Sequence, residues 1–266
     1  MAAAAAAGTA RAAGTARAAW ATYVDSAEYM LGALVMLASL QAVGTQYECM
    51  ILHPPAFAEE ASRMLAATPI AARLVAVEDL RRPGTTYARP NYTATINKVH
   101  IWALAGFDRI GWLDSDLLIL RPIDEILTMD LPHGWIAGAP GCTCNALRNP
   151  RLPTRPDLCP FVDPSQEYIN TGVFVCTPDP ALFGRLLGLD YNQPLADQDA
   201  FCEFFAGRIR MLPSTYNHMN HLGVAHPEAA SSDICVYHFT HGKPWSADVA
   251  GPMKSRWDRM RAAIGL

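Results

Sequence analysis

Residues 110–120 read IGWLDSDLLIL, in which apolar residues lie on both sides of an Asp-Ser-Asp triplet. Apolar segments of this length, bounded by polar or turn residues, are typical of buried strands. Ionised carboxylates at the end of a buried strand cost free energy unless a positive group meets them. A hard divalent cation is the simplest partner, and Mg²⁺ or Mn²⁺ commonly shares carboxylate ligands with a phosphate. Asp114 and Asp116 therefore predict a metal–diphosphate site at a strand end. Taken alone, the triplet is more typical of a polar strand-to-turn junction in which one aspartate caps the turn.

The composition of the chain excludes several classes of protein. Its 266 residues are 51% hydrophobic and 17% charged, which indicates a folded globular protein and fits one α/β unit. A net charge of −4, without a basic stripe and interleaved aromatics, argues against nucleic-acid binding. No apolar run approaches the length of a transmembrane helix, so we expect no transmembrane segment. We expect a cytoplasmic protein, with organelle targeting by the N-terminus or Golgi association as alternatives.

The seven cysteines are scattered and odd in number. Cys142-Thr143-Cys144, followed by Cys159, raises the question of a metal site. The spacing is not that of a known type of zinc site and no histidine pair follows, so free thiols in a reducing compartment are the favoured interpretation.

Residues 1–19 form an alanine-rich, low-complexity tail in which the hexapeptide GTARAA occurs twice. We predict that this tail lies outside the fold, and a transit-type segment is the alternative. Residues 20–266 are predicted to form one domain.

The first part of that domain alternates strands and helices. Strands are predicted at residues 20–24, 47–52 and 73–77, with helices at 27–40 and 58–65 between them. This alternation is typical of a parallel, doubly wound α/β sheet, in which ligands bind at the carboxyl ends of the strands.

The second part continues with a helix at 94–104, strands at 168–175 and 235–239, and a helix at 195–205. Residues 141–164 have no periodic pattern and contain many prolines, and a loop of this length in a compact domain is commonly functional. We predict that it forms a flap over the substrate.

Five short motifs then stand in a characteristic order. They are Asn97-Lys98 with Trp102, Asp114-Ser115-Asp116, Asn170-Thr171-Gly172-Val173-Phe174, Asp197-Gln198-Asp199, and the run from His238 to Trp245. In this order they resemble glycosyltransferase family 8, which includes glycogenin and galactinol synthase, and the resemblance extends from about Thr22 to Trp245. It implies a GT-A (Rossmann-like) single domain with a mostly parallel central sheet flanked by helices. It also implies a UDP-sugar donor, Mn²⁺ (or Mg²⁺), and transfer with retention of anomeric configuration.

The same resemblance implies roles for individual residues. Asp114 and Asp116 resemble the family's metal-binding Asp-x-Asp motif, and His238 resembles its third protein ligand. The residues implied at the reacting face are Asp197, Gln198 and Lys98. Those implied in binding the nucleotide sugar are Tyr23, Val24, Tyr29, Asn170, Thr171, Gly242 and Lys243. Three of these residues also have a purely structural interpretation: His238 as a core histidine, Lys98 as a solvated lysine and Asp197 as a helix cap.

We therefore predict a retaining hexosyltransferase that moves a sugar from a UDP-sugar to a separate sugar, polyol or glycan acceptor. A homodimer is the assembly that we consider for it. The alternative from another class is a sugar-nucleotide-binding protein without turnover. A metal-dependent phosphohydrolase built on Asp114 is a weaker alternative, because it would not explain the run from His238 to Trp245.

Overall fold

The computed structural model describes residues 17–81, 93–150, 152–229 and 232–266. Residues 1–16 of the predicted tail lie outside the part of the chain that the structure describes. The first strand begins at Ala18, two residues before its predicted start, and Ala18 and Ala19 are buried. The division into a tail and a domain stays a prediction.

Seven strands form the main sheet in the described part of the chain. They are β1 (Ala18–Tyr23), β2 (Glu48–His53), β3 (Arg73–Ala76), β4 (Arg109–Leu113), β6 (Ile136–Pro140), β7 (Ile169–Cys176) and β8 (Ile209–Met211). Their order across the sheet is β3-β2-β1-β4-β7-β6-β8. All neighbours pair in parallel except that β7 runs antiparallel to both β4 and β6. The prediction of a mostly parallel α/β sheet is confirmed.

A smaller sheet stands beside it. Its strands are β5 (Leu117–Ile119), β9 (His218–Met219) and β10 (Val236–His238), with β10 in the middle. Residues 110–120 therefore form two strands that belong to different sheets, and residues 114–116 form the turn between them.

Seven α-helices complete the described part of the fold. They are α1 (Ala27–Ala42), α2 (Ala58–Ala66), α3 (Glu125–Thr128), α4 (Pro180–Leu187), α5 (Asp197–Phe204), α6 (Leu222–Ala225) and α7 (Pro252–Ala263). Helix α1 begins where the Ser26 Oγ accepts a hydrogen bond from the Tyr29 amide, which is a standard N-cap. Its middle is buried on all sides because it lies in the core that the two sheets share.

The helices also differ from the predictions. The predicted helix at 94–104 is a 3₁₀ helix, Thr95–Ala103, which contributes Trp102 to the second half of the core. Helix α7 was not predicted, because half of its residues are polar or charged and only Trp257 within it is fully buried. Neither difference displaces the strands that carry the predicted motifs to one edge of the sheet.

Candidate active site

A cavity of about 520 Å³ opens at the carboxyl ends of β1 and β4. Ligand sites for molecules of modest size typically have volumes of about 300–1,000 Å³. The cavity is lined by residues from both sheets, including Tyr23, Asp114, Thr171 and His238. Most of the residues predicted from the sequence therefore line one space.

Asp114 and Asp116 lie at the two ends of the turn between β4 and β5. The Asp114 amide donates a hydrogen bond to the Gly172 carbonyl at 2.8 Å, which joins this turn to β7. The ligand atoms of Asp114, Asp116 and His238 all lie within 4.8 Å of one another. Two carboxylates and one imidazole, converging from β4, β5 and β10, form a donor set suited to Mn²⁺ or Mg²⁺.

The hydrogen bonds around His238 show that its ring can serve as a metal ligand. Nδ1 lies 2.8 Å from Oδ1 of Asn217, and the Nδ2 group of the same Asn217 donates to Oδ1 of Asn170 at 2.8 Å. Since the amide oxygen of Asn217 can only accept, Nδ1 carries the proton and Nε2 of the neutral ring has a lone pair. Nε2 faces Oδ1 of Asp116 at 3.3 Å. Two acceptors that face each other in this way are stabilised by a cation between them, so the residues present fit a divalent metal.

Gly172 in β7 leaves room for the His238 ring. A β-carbon on Gly172 would lie 2.3 Å from Cε1 and 2.6 Å from Nδ1 of His238. Since both atoms belong to a rigid, buried ring, neither can move aside at low cost. The absence of a side chain at residue 172 therefore allows β7 and β10 to place His238 beside the aspartates.

Lys243 balances the charge of Asp116. Its Nζ lies 2.6 Å from Oδ2 of Asp116, and Asp116 is only 3% exposed. Burial acts to raise the pKa of Asp116, but the adjacent Lys243 ammonium holds that pKa well below its usual range. In turn, burial acts to lower the pKa of Lys243, while the neighbouring Asp116 raises it above its usual value. Both groups are therefore charged at neutral pH.

Lys98 forms a second charged centre on the opposite side of Asp114. Its Nζ lies 3.1 Å from Oδ1 of Asp114, 2.9 Å from Oδ2 of Asp197 and 3.0 Å from the Thr171 carbonyl. Burial acts to lower the pKa of Lys98, and the two carboxylates raise it well above its usual value. The solvated-lysine alternative is wrong, because Lys98 is buried.

Asp197 and Gln198 open α5 and project towards the same region. Asp197 Oδ2 accepts a hydrogen bond from the Thr171 hydroxyl at 2.6 Å, and Gln198 Oε1 accepts one from Asn170 Nδ2 at 2.8 Å. The helix-cap alternative for Asp197 is wrong, since Ala196 holds the cap position and no side chain caps this helix. Four hydrogen-bonded residues thus connect the metal ligands to the start of α5: His238, Asn217, Asn170 and Gln198.

The far end of the cavity has a different character. Tyr23 and Thr22 line it, and their buried hydroxyl oxygens find no hydrogen-bond partner in the described part of the chain. Tyr29 also lines it and packs edge-on against Trp245, with ring centroids 5.3 Å apart. Gly242 and Lys243 complete the predicted set on the cavity wall. Val24 does not line the cavity, because its side chain is buried in the core.

Sequence reasoning did not identify several residues of this site. Asn217 and His221 line or support it, although the sequence showed no pattern that singled them out. Arg81 lines the cavity and lies 3.0 Å from Asp25. Burial, followed by the repulsion from neighbouring histidines, lowers the pKa of His221 to about 3, so this ring is neutral at pH 7.

Residues 141–164, which we predicted to form a flap over the substrate, contribute one wall of the cavity. The residues of this segment that line it are Cys142, Thr143, Asn145, Leu152 and Pro153. It is tied down by Arg155, whose guanidinium lies 2.6 Å from Oδ1 of Asp199 in α5. The structure therefore places this segment on the cavity, as predicted, but holds it there by specific contacts.

Comparison with known proteins places this geometry in a family. A sequence profile described as Glycosyl transferase family 8 matches residues 22–249. The chain belongs to glycosyl transferase family 8. The resemblance inferred from the ordered motifs is therefore confirmed.

Relatives of this family 8 chain include plant proteins. Galactinol synthase 1 of Solanum lycopersicum is 30% identical over 168 residues, which cover 60% of this chain and 51% of that protein. Galactinol synthase 6 of Arabidopsis thaliana is 26% identical over 227 residues, which cover 79% of this chain and 67% of that protein. The chain thus spans about half to two thirds of the length of these relatives.

Solved structures share the fold of the family 8 chain. The galactosyltransferase LgtC, determined with donor and acceptor sugar analogues, aligns with a TM-score of 0.71 at 15% identity, covering 93% of this chain and 96% of LgtC. Mouse xyloside xylosyltransferase 1 aligns with a TM-score of 0.57 at 17% identity, covering 85% of this chain and 99% of the mouse chain. At these identities the likeness shows the fold alone, which is the predicted GT-A fold. Among the described residues, no helix has both the length and the apolar composition needed to cross a membrane.

Proposed function

We propose that this family 8 chain is a retaining hexosyltransferase that uses a UDP-sugar donor and Mn²⁺, and that transfers the sugar to a sugar, polyol or glycan acceptor. The observation that carries the proposal is the convergence of Asp114, Asp116 and His238 in a cavity that is also lined by the buried Lys98 and by the half-buried Lys243. A diphosphate needs both a divalent cation and nearby positive charge, and this cavity offers ligands for the first and Lys243 for the second.

The nucleoside would lie at the end lined by Thr22, Tyr23 and Tyr29. Buried hydroxyl groups without partners cost free energy, so Thr22 and Tyr23 favour a ligand with polar edges, such as a uracil ring or a ribose. The aromatic face of Tyr29 adds an apolar surface on the same side. Arg81 and Asp25 bring a charged pair to this end as well.

The sugar would lie near Lys98, Asp197 and Gln198. Lys98 and the Thr171 hydroxyl both contact Oδ2 of Asp197, so among the described residues Oδ1 remains to accept a hydroxyl of the sugar. Asn170 fixes the amide of Gln198 by donating to its oxygen. These side chains are held before a sugar binds, which lowers the entropy cost of orienting it.

In the reaction, the bond between the anomeric carbon and the diphosphate breaks. When bound by Asp114, Asp116 and His238, the metal supplies Lewis-acid stabilisation of the departing diphosphate. Lys243 adds a fixed cation at the same place, and such a preorganised charge contributes about 3 kcal/mol or more. The anomeric centre gains positive charge as the bond breaks. An amide is a poor nucleophile, so we favour attack by the acceptor on the same face, with the Gln198 oxygen stabilising that positive charge.

The acceptor and the hexose are separate questions. Two relatives bear names that indicate galactosyl chemistry, galactinol synthase and a galactosyltransferase, so UDP-galactose is the first donor to test. UDP-glucose, UDP-N-acetylglucosamine and UDP-glucuronic acid complete the panel.

The test measures release of UDP from each donor, with Mn²⁺ or with a chelator, for the purified chain and for Asp116→Asn. Mn²⁺-dependent release from one donor, lost in Asp116→Asn and retained in the exposed control Asp130→Asn, supports the proposal. Binding of UDP without release from any donor, even with an acceptor panel present, favours the non-catalytic sugar-nucleotide-binding protein. Absence of UDP binding with and without metal contradicts both.

The stereochemical part of the proposal has its own test. Mass spectrometry of the chain quenched during turnover should find no sugar attached to Asp197 or Gln198. A covalent glycosyl adduct on either residue would overturn same-face attack.

A further inference from the structure

A second cluster of metal-ligating side chains lies beside the cavity. Cys142, Cys144 and Cys159 come from the segment 141–164, and His226 follows α6. Their ligand atoms all lie within 4.8 Å of one another. Cys159 and His226 are 67 residues apart in the sequence, so only the fold brings the four side chains together.

The dimensions of this cluster match a tetrahedral metal site. Nε2 of His226 lies 3.4 Å from Sγ of Cys144 and 3.5 Å from Sγ of Cys159. Bonds of about 2.3 Å to sulfur and about 2.1 Å to nitrogen, at tetrahedral angles, place a sulfur and a nitrogen ligand about 3.6 Å apart. The observed separations therefore leave the space that one zinc ion needs.

The surroundings of His226 also suit a metal ligand. Its Nδ1 lies 3.2 Å from Oε1 of Glu228, and its ring stacks on Phe161 with centroids 5.0 Å apart. A carboxylate at Nδ1 holds the proton there and directs the Nε2 lone pair towards the cysteines, as is common for zinc-bound histidines. Cys159 itself is completely buried.

We propose that Cys142, Cys144, Cys159 and His226 bind one Zn²⁺ ion as a structural site. Three thiolates and one imidazole fill all four positions of a tetrahedral ion, so no position remains for a substrate or for water. Binding would release the protons of those thiols that are not yet ionised. None of the seven cysteines forms a disulfide in the structure. The sequence interpretation that argued against a metal at Cys142, Cys144 and Cys159 did not anticipate His226.

Such a site would fasten one wall of the cavity. Cys142, Thr143 and Asn145 line the cavity and belong to the same loop, so the ion would join this wall to the segment after α6. A zinc ion here would be present whether or not the chain transfers a sugar.

The test is a metal analysis of the full-length chain, purified with zinc in the growth medium and dialysed against EDTA to remove weakly bound ions. Inductively coupled plasma mass spectrometry should find one zinc per chain. Zinc should fall at least tenfold in Cys159→Ser and be unchanged in Cys235→Ser, whose cysteine lies outside the cluster. Asp116→Asn should also keep its zinc, which separates this site from the one in the cavity.

Two further measurements cover the case in which Cys159→Ser fails to fold. Glu228→Gln keeps all four ligands and alters only the exposed partner of His226, and it should weaken zinc binding about tenfold in a chelator competition. Cobalt substituted for zinc should give thiolate-to-metal charge-transfer absorption in the wild-type chain. The proposal is overturned if the wild-type chain contains no zinc and gives no such absorption, or if peptide mapping under anaerobic conditions finds a disulfide within the cluster.

Discussion

Asn217 Oδ1 accepts a hydrogen bond from Nδ1 of His238 at 2.8 Å, and this contact fixes which nitrogen of His238 faces the aspartates. Asn217 is itself oriented by its donation to Asn170, so its oxygen cannot exchange places with its amide nitrogen without losing that bond. The buried asparagine therefore prepares the histidine for metal binding before any metal arrives.

Replacing Asn217 with alanine should weaken Mn²⁺ binding about 10–100-fold, because His238 loses the partner that sets its tautomer and orientation. Isothermal titration with Mn²⁺ measures the affinity directly. Asn192→Ala, at an exposed position, should leave the affinity unchanged. Equal Mn²⁺ affinity in Asn217→Ala and the wild type would contradict the role of this contact.

Gly172→Ala should abolish Mn²⁺ binding and lower the free energy of unfolding by about 1–3 kcal/mol, because the new methyl group meets the His238 ring. Gly184→Ala is the matched control. Gly184 lies in α4 with nothing near its β-position, so the same change there should stabilise the chain by about 0.5–1 kcal/mol. Urea denaturation compares the two. A Gly172→Ala chain that binds Mn²⁺ normally would show that the ring has room to move.

Lys98→Met should lower the free energy of unfolding by about 3–5 kcal/mol without metal, because it leaves the carboxylates of Asp114 and Asp197 facing each other without a cation. Adding Asp197→Asn to this variant should recover roughly 1–2 kcal/mol, since one of the two charges is then gone. Lys254→Met, which breaks a surface pair with Asp258, should cost less than about 1 kcal/mol. A double variant no more stable than Lys98→Met alone would argue against charge as the cause.

The free energy of unfolding should fall as the pH drops from 8 to 5, in part because of His221. Its pKa is lowered from 6.5 to about 3 in the folded chain, so between these values the unfolded chain binds a proton that the folded chain does not. Protonation therefore favours unfolding over this range, by about 2 kcal/mol at pH 5 for this single group.

His221→Asn keeps a donor near Thr240 and removes the titrating ring, so the fall between pH 8 and pH 5 should shrink by about 2 kcal/mol. His133→Asn alters an exposed histidine and should leave the pH dependence as it is in the wild type. Thermal or urea unfolding at a series of pH values gives the comparison. Identical pH profiles for His221→Asn and the wild type would contradict the buried, neutral state of this ring.

The amino-acid sequence alone determined the order and type of most elements, because apolar periodicity acts over a few residues and depends little on the rest of the chain. It also pointed to Asp114, Asp116 and His238, whose residue types and order are typical of one kind of metal chemistry. It did not indicate α7, half of whose residues are polar or charged, or the 3₁₀ form of residues 95–103. The site roles assigned to individual residues stay predictions that the variants above will test.

Only the tertiary structure decided which side chains meet. Lys243 and Asp116 are 127 residues apart, and Asn217 and His238 are 21 apart, yet each pair is in direct contact. The contact of His226 with the cysteine cluster is likewise made by the fold, and no pattern in the sequence around His226 predicts it. The physical reason is that partners of buried charges and of metal ligands are chosen by the packing of strands and loops, whereas a sequence pattern records only near neighbours along the chain.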